Sequence, residues 1–409
     1  MPHHPSVSEE FPPKPRFFEM RMAALFAAVI LPGGFLLPFL PLWLEHVGIS
    51  PEEIGVILAA QMFLRLATTP FFSALADTRP DRAPMFILTV GGAFVFSLGY
   101  LLPPTFLLVL AVSLLLAVLQ PLHTTLTDSL AVSGVRRYRS DYARMRIWGS
   151  VAYLVSNIAG GLFLAHWGAG FLPWVYAASM ALALGVALAL TPRLGRPRKL
   201  HGPDPAGGVA LLRNRYFVFT ILAYASLQAS HAFVYGFGSI YWRAIGISET
   251  AIGWLWAVGT LAEVILFAVF PRFFGRLSPD RVLVMAGCAA LFRWLTLPLI
   301  EPAGLSLAGF VVSQSLHAFS TGMIIIALQA TIARSVPDHL TSGAQGLAFF
   351  AQTLALGIAT LVSGALYQSF GAQGFWAMAV LAGAGLGFAL AARRYPQSSG
   401  AGGNTSEPS

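Results

Sequence analysis

Gly48-Ile49-Ser50-Pro51-Glu52-Glu53-Ile54-Gly55 recurs as Gly246-Ile247-Ser248-Glu249-Thr250-Ala251-Ile252-Gly253, at an offset of 198 in a chain of 409 residues. Each copy follows a long apolar stretch with a Trp near its end (Trp43, Trp242) and opens another. Asp81-Arg82, before the third apolar stretch, is echoed by Asp280-Arg281 before the ninth, at an offset of 199. A Ser followed by acidic residues is common helix-start chemistry and accounts for one such match. Two matches at nearly one offset, close to half the chain length, point to two parallel halves arising by duplication.

The composition says what the halves are made of. Hydrophobic residues are 56% of the chain and charged residues 10%, and mean hydropathy is +0.70, far from the norms of water-soluble domains. Twelve apolar segments of spanning length are legible, near 18–43, 53–76, 84–102, 105–132, 143–165, 171–191, 215–242, 250–274, 281–300, 304–333, 341–368 and 373–393. A helix of ~20 apolar residues crosses ~30 Å of hydrocarbon. The expected fold is therefore an all-α membrane protein, twelve transmembrane helices in two pseudo-symmetric six-helix bundles. The N-terminal bundle covers 17–191 and the C-terminal bundle 215–394, joined by a Pro- and Gly-rich cytoplasmic linker at 192–214. Residues 1–16 and 395–409 read as disordered tails. Parallel repeats with a site at their interface are one construction plan of secondary transporters.

Lys and Arg set the orientation. Of 25 basic residues only Arg243 falls in an outer loop, and Arg65 and Arg293 lie within spans. The rest cluster at inner loops and tails and the helix ends beside them, as in Arg136, Arg137 and Arg139, and in Arg193, Arg196, Arg198 and Lys199. The bias predicts a multi-pass protein of the cytoplasmic (inner) membrane with both termini inside. The sequence pI of about 9.9 is then a topology signal, and no nucleic-acid partner is invoked. The only lysines, Lys14 and Lys199, do not follow Gly, which excludes a Walker A phosphate loop. There is no H-E-x-x-H, C-x-x-C or G-x-S-x-G, and the polar residues are dispersed, which argues against an enzyme. Cys288 stands alone in an apolar segment and is expected to be a buried, structural thiol.

Charges at membrane depth are costly and mark a pathway or site by default. This chain has Arg65, Asp128, Arg146, Glu263 and Arg293, with His123, His231 and His317 as titratable neighbours. Asp128 and Arg146 are each nine residues from Arg137 in the hairpin between the fourth and fifth segments, so they are expected at similar depth as an ion pair. Gln120, His123, Thr124, Thr127 and Asp128 form a polar stripe at helical spacing. Glu263 and Arg293 are likewise each fifteen residues from Ser278. Glu263 lies about ten residues inside its helix, ~15 Å at 1.5 Å per residue, near the midplane, where a carboxylate can load and release a proton during a transport cycle. Gln228, His231 and Tyr235 form another stripe, and Trp148, Tyr235 and Trp256 offer aromatic surface.

Pro38-Phe39-Leu40-Pro41-Leu42-Trp43-Leu44, Gly48-Ile49-Ser50, Ile54-Gly55, Leu64-Arg65 and Leu75-Ala76-Asp77 resemble the phenylpropionate–proton symporter branch of the major facilitator superfamily, over nearly the whole chain. Of that superfamily's loop G-x-x-x-D-R/K-x-G-R/K, Asp77 is kept, Ser73 replaces the first Gly, and the second Gly is missing from Arg79-Pro80-Asp81-Arg82. The resemblance implies a conformational-switch loop at Asp77, Arg79 and Arg82. The chain is also similar to the lactose permease branch: Asp128 matches its sugar-binding carboxylate, Arg146 the arginine eighteen residues on, Arg293 its ninth-helix arginine and His317 its tenth-helix histidine. Ser320 stands where that branch has a proton-carrying glutamate, which shifts the expected proton role to Glu263.

The resulting expectation is a proton-coupled symporter that moves a small aromatic or other organic carboxylate by alternating access. Its expected partners are that solute, protons and the lipid bilayer; it acts as a monomer, and no cofactor is expected because the proton gradient supplies the energy. Arg65, Arg146 and Arg293 outnumber Asp128 and Glu263, which favours an anion. Alternatives are a sugar or nucleoside symporter, in which Asp128 and His317 bond hydroxyls, then a drug exporter, then a non-transporting sensor or scaffold.

Overall fold

Gly48 and Gly246 adopt the same left-handed backbone, φ +84° and +87°, where only glycine sits without strain. Each reverses the chain between two spans, and the repeat in sequence is thus a repeat in shape. The computed structural model describes residues 13–78, 81–194 and 210–395. Most of the expected tails (residues 1–12 and 396–409), most of the central linker and Arg79 lie outside the described residues, as does the side chain of Asp77.

Among the described residues, eleven helical stretches are long and apolar enough to cross a membrane. In order they are Phe18–His46, Pro51–Phe72, Ala83–Leu101, Phe106–Tyr138, Tyr142–Trp167, Ala169–Leu190, Arg215–Ala244, Glu249–Phe273, Pro279–Leu299, Ser306–Ser335 and Thr341–Ala392. The last runs 52 residues, about 78 Å at 1.5 Å per residue and more than twice the hydrocarbon thickness. Gly371, at φ +52°, breaks it into Thr341–Phe370 and Phe375–Ala392. The described fold therefore has twelve spans, as the composition predicts.

In the first half, span 1 packs on spans 5 and 6, span 4 on spans 2 and 3, and span 3 on span 6. In the second half, span 7 packs on spans 11 and 12, and span 9 on spans 10 and 12. The halves meet chiefly through two helix pairs, 2 with 11 and 5 with 8. Lipid is as apolar as Leu, so close backbone approach drives such contacts. A Cβ added at Gly253 would lie 2.5 Å from the carbonyl oxygen of Asn157 and 3.2 Å from Cα of Gly161; one added at Gly55 would lie 3.1 Å from Cα of Gly364. The closing glycines of both octapeptides are thus the points where the halves touch. An ion pair between Glu45 and Arg243, at 3.4 Å and at equivalent positions of the two halves, ties the same end. Gly253→Val is expected to wedge spans 5 and 8 apart there. Spin labels after spans 1 and 7, in a Cys288→Ser background, should move apart; unchanged distances would refute the contact's role.

The apolar core follows this closure. One cluster runs through both halves, from Phe39 and Trp43 to Phe233 and Trp242, and a smaller one around Phe18, Phe86 and Leu126 belongs to the first half. Cys288 corrects an expectation: it is exposed on the outside of span 9.

Candidate substrate site between the halves

Two helices that read as continuous are irregular where they face each other. Span 7 breaks at Ser230-His231, between Arg215–Ala229 and Ala232–Ala244, with no Pro or Gly at the break. The His231 amide bonds to the Gln228 carbonyl instead of Leu227, and the freed Leu227 carbonyl accepts from His231 Nδ1 at 3.0 Å. A side chain inserted into the backbone ladder is an established cause of a kink. Span 10 opposite carries a π-turn, Ala318–Gly322, a deformation frequent at functional sites. His231 Nε2 joins the two, 3.0 Å from Ser320 Oγ and 3.1 Å from Thr321 Oγ1.

The tautomers follow from what each partner can do. A carbonyl only accepts, so His231 carries its proton on Nδ1, and its Nε2 accepts a hydroxyl hydrogen when the ring is neutral. Arg293, from span 9, only donates. Its Nη1 lies 3.0 Å from His317 Nδ1 and 3.3 Å from Ser320 Oγ, and its Nη2 donates to Gln314 Oε1. Neutral His317 therefore carries its proton on Nε2, for which no protein acceptor is found among the described residues.

Arg293 is 1% exposed, its Nε has no partner, and all its hydrogen-bond acceptors are neutral. It lines a cavity of about 300 Å³ together with His317, Gln314, Glu263, Tyr235 and Trp256. A second cavity, of about 320 Å³, lies against the first half and is lined by Arg65, Gln61, Gln120 and apolar residues from spans 1 and 2. The two share Leu37, Tyr153 and Tyr235 as common wall. Each is at the lower end of ligand-sized pockets, about 300–1,000 Å³. Tyr235 stacks on Trp256 with ring centroids 6.1 Å apart, and Trp256 donates to Ser239 Oγ at 2.9 Å.

Of the residues singled out in the sequence, Arg65, Gln120, Tyr235, Glu263, Arg293 and His317 line these cavities, and His231 stands directly behind His317. Others are placed elsewhere. The expected Glu263–Arg293 pair is absent among the described residues: the two line one cavity, but Arg293 turns to span 10. Asp128 and Arg146 form no direct ion pair either. The helices turn around Ser140, three residues later than expected, so Asp128 is twelve and Arg146 six residues from the turn. Tyr142 stands between them, its hydroxyl donating to Asp128 Oδ1 at 2.8 Å, while Arg146 lies over the Phe26 ring. Neither lines the two central cavities.

His123 is buried against span 3, beside the Thr89 backbone. It stands five residues from Asp128, about 140° around the helix, and so one polar stripe serves three surroundings. Trp148 is 53% exposed on the outer surface and is no ring-binding wall. Gln228 is buried beside Tyr224, away from the cavities, and Arg82 donates to Ser129 Oγ.

Tyr153 went unnoticed in the sequence although it lies seven residues, two turns, beyond Arg146 on the same face. Gln314 and Thr321 flank His317 at i−3 and i+4 and were legible in the same way. Asp128→Ala and Tyr142→Phe should be non-additive by about 1 kcal/mol in a double-mutant cycle of stability, because each removes the same hydrogen bond. Simple additivity would remove Tyr142 as the linker.

A family model described as the MFS_1 like family matches residues 24–378. The chain belongs to the major facilitator superfamily. As a member of the major facilitator superfamily it is a secondary transporter and multi-pass membrane protein, not an enzyme. It is 30% identical over 362 residues to an Escherichia coli (strain K12) protein named "Probable 3-phenylpropionic acid transporter", covering 85% of this chain and 91% of that one. It is 27% identical to the maltose permease of Geobacillus stearothermophilus, over 82% of this chain and 84% of that one. A crystal structure of the nucleoside transporter NupG superposes with a TM-score of 0.77 at 14% identity, covering 92% of this chain and 98% of that one, which speaks to the fold alone.

Proposed function

We propose that this chain is a proton-coupled symporter of a small aryl or other organic carboxylate, working by alternating access between the bundles 17–191 and 215–394. The observation that carries the reading is Arg293: a buried guanidinium facing a central cavity, with no carboxylate partner among the described residues. Burying an ion without a counter-charge costs several kcal/mol, and a substrate carboxylate offsets that cost each time it binds. Arg293, with His317 Nε2 beside it, supplies donors in the fork geometry a carboxylate matches. Tyr235 and Trp256 give the ring an aromatic wall. Glu263, in the same cavity with no hydrogen bond or ion pair to the protein among the described residues, is the proton carrier. The named function of the Escherichia coli relative supports the substrate class. The Lys and Arg distribution supports an inner-membrane location with both termini cytoplasmic, and we take the working unit to be a monomer.

A second reading, a sugar or nucleoside symporter, draws on the maltose permease relative, but Asp128, its expected hydroxyl acceptor, stands outside both cavities. Uptake of labelled 3-phenylpropionate, maltose and uridine into proteoliposomes, with and without an inward proton gradient, separates the two. Gradient-driven uptake of the acid alone is expected. Uptake of a neutral solute in its place would overturn the carboxylate reading.

A further inference from the structure

The cavity of the first half poses a charge problem that the carboxylate at Arg293 leaves unsolved. Arg65 has five N–H donors, yet among the described residues its hydrogen bonding to the protein is one contact, Nη2 to Gln120 Oε1 at a long 3.4 Å. Its Nε is buried without a partner. Gln120 cannot do more, because its amide is held in place by donating to Tyr176 Oη at 2.6 Å. Gln61, the other amide in this cavity, turns its Nε2 back to the Ile57 carbonyl of its own helix. Among the described residues no carboxylate lines this cavity; the remaining wall is largely apolar, with Leu36, Leu58 and Met62.

Duplication sharpens the asymmetry. Arg65 lies 198 residues before Glu263, the offset of the octapeptide repeat, so equivalent positions of spans 2 and 8 present opposite charges to adjoining cavities. When Glu263 carries a proton, the joint cavity holds two fixed cations, Arg65 and Arg293, one in each half. A monoanion neutralises one of them. A dianion neutralises both, with its apolar middle at the waist formed by Tyr153 and Tyr235.

We infer that the transported acid carries a second anionic group, which docks on Arg65 while Arg293 holds the first. The substrate class is an aromatic dicarboxylate long enough to reach from one half to the other. The inference rests on the carboxylate reading and narrows it. A solute bound at both ends also makes contact with both bundles at once, so its occupancy bears on their relative position.

The test compares 3-phenylpropionate, 4-(2-carboxyethyl)benzoate and the ring mono-amide of the latter as competitors of labelled acid uptake, in the wild-type protein and in Arg65→Gln. The wild type should prefer the diacid over both monoacids by roughly tenfold or more, the worth of one charge-assisted contact. In Arg65→Gln the ratio of diacid to monoacid affinity should collapse toward one. Equal affinities in the wild type, or a ratio unchanged in the variant, would overturn the inference. Should Arg65→Gln fail to fold, the wild-type comparison of diacid and mono-amide decides by itself. Transport of monoacids without preference for the diacid sinks this inference alone; transport of neutral solutes only sinks the carboxylate reading beneath it.

Discussion

Arg293→Lys should abolish concentrative uptake and weaken binding of the transported acid by about 100-fold. The guanidinium is placed by three neutral acceptors on span 10, Gln314, His317 and Ser320, and it lies over the Trp294 ring at 4.5 Å. An ammonium keeps the charge and loses the planar fork. Two charge-assisted hydrogen bonds at about 1.5 kcal/mol each account for ~3 kcal/mol, and each 1.4 kcal/mol is a factor of about ten in affinity. Because the charge is retained, the Lys variant avoids the larger penalty of stranding its partners, and it should elute as a folded monodisperse species. Binding of the acid and of its amide, measured by calorimetry on the purified protein, is the check. Wild-type affinity for the acid in the Lys variant, or an amide that binds the wild type as tightly as the acid, would remove Arg293 as the anchor.

Glu263→Gln should convert the protein from a concentrating transporter into an exchanger. The carboxylate faces the cavity that holds Arg293 but is not tied to it, so its protonation state is set by the cavity and by the protons that reach it. The amide resembles the permanently protonated acid. The half-cycle that exchanges labelled for unlabelled solute needs no deprotonation and should survive. Return of the empty carrier requires the proton to leave, and that step should stop. One coupled proton across a gradient of one pH unit supplies about 1.4 kcal/mol, a roughly tenfold accumulation; in the Gln variant the accumulation ratio should fall to about one. Continued uphill uptake would place the proton elsewhere, with His317 and Asp128 next to be examined.

The residues that proved well placed in the sequence are those whose position depends on one helix alone. Arg65, Gln120, Tyr235, Glu263 and His317 are polar side chains at membrane depth, and each faces a cavity because lipid offers a charge or an amide no partner. The pairings fared differently. Counting outward from a presumed turn put Asp128 level with Arg146, and Glu263 level with Arg293. A turn three residues later than expected was enough to bring Tyr142 between the first two. For the second pair, Arg293 found hydrogen-bond acceptors on span 10 that no count along one hairpin includes. Trp148 and Tyr153 make the same point on one helix. Five residues apart, they lie about 140° from each other, so one reaches the outer surface and the other the waist between the cavities.

By itself the sequence determined the number of spans, their grouping into two repeated halves, and which few ionisable groups had to be sheltered from lipid. Those features follow from bilayer thickness and from the cost of moving polar groups into hydrocarbon, both of which act on each segment separately. Only the tertiary structure decided which of these groups share a cavity, that span 7 breaks at His231 and span 10 loosens into a π-turn, and that Arg293 bonds His317 rather than Glu263. These arrangements depend on the rotation of each helix about its own axis and on its packing against neighbours distant in sequence. Apolar periodicity carries little of that information in spans that are hydrophobic nearly all round.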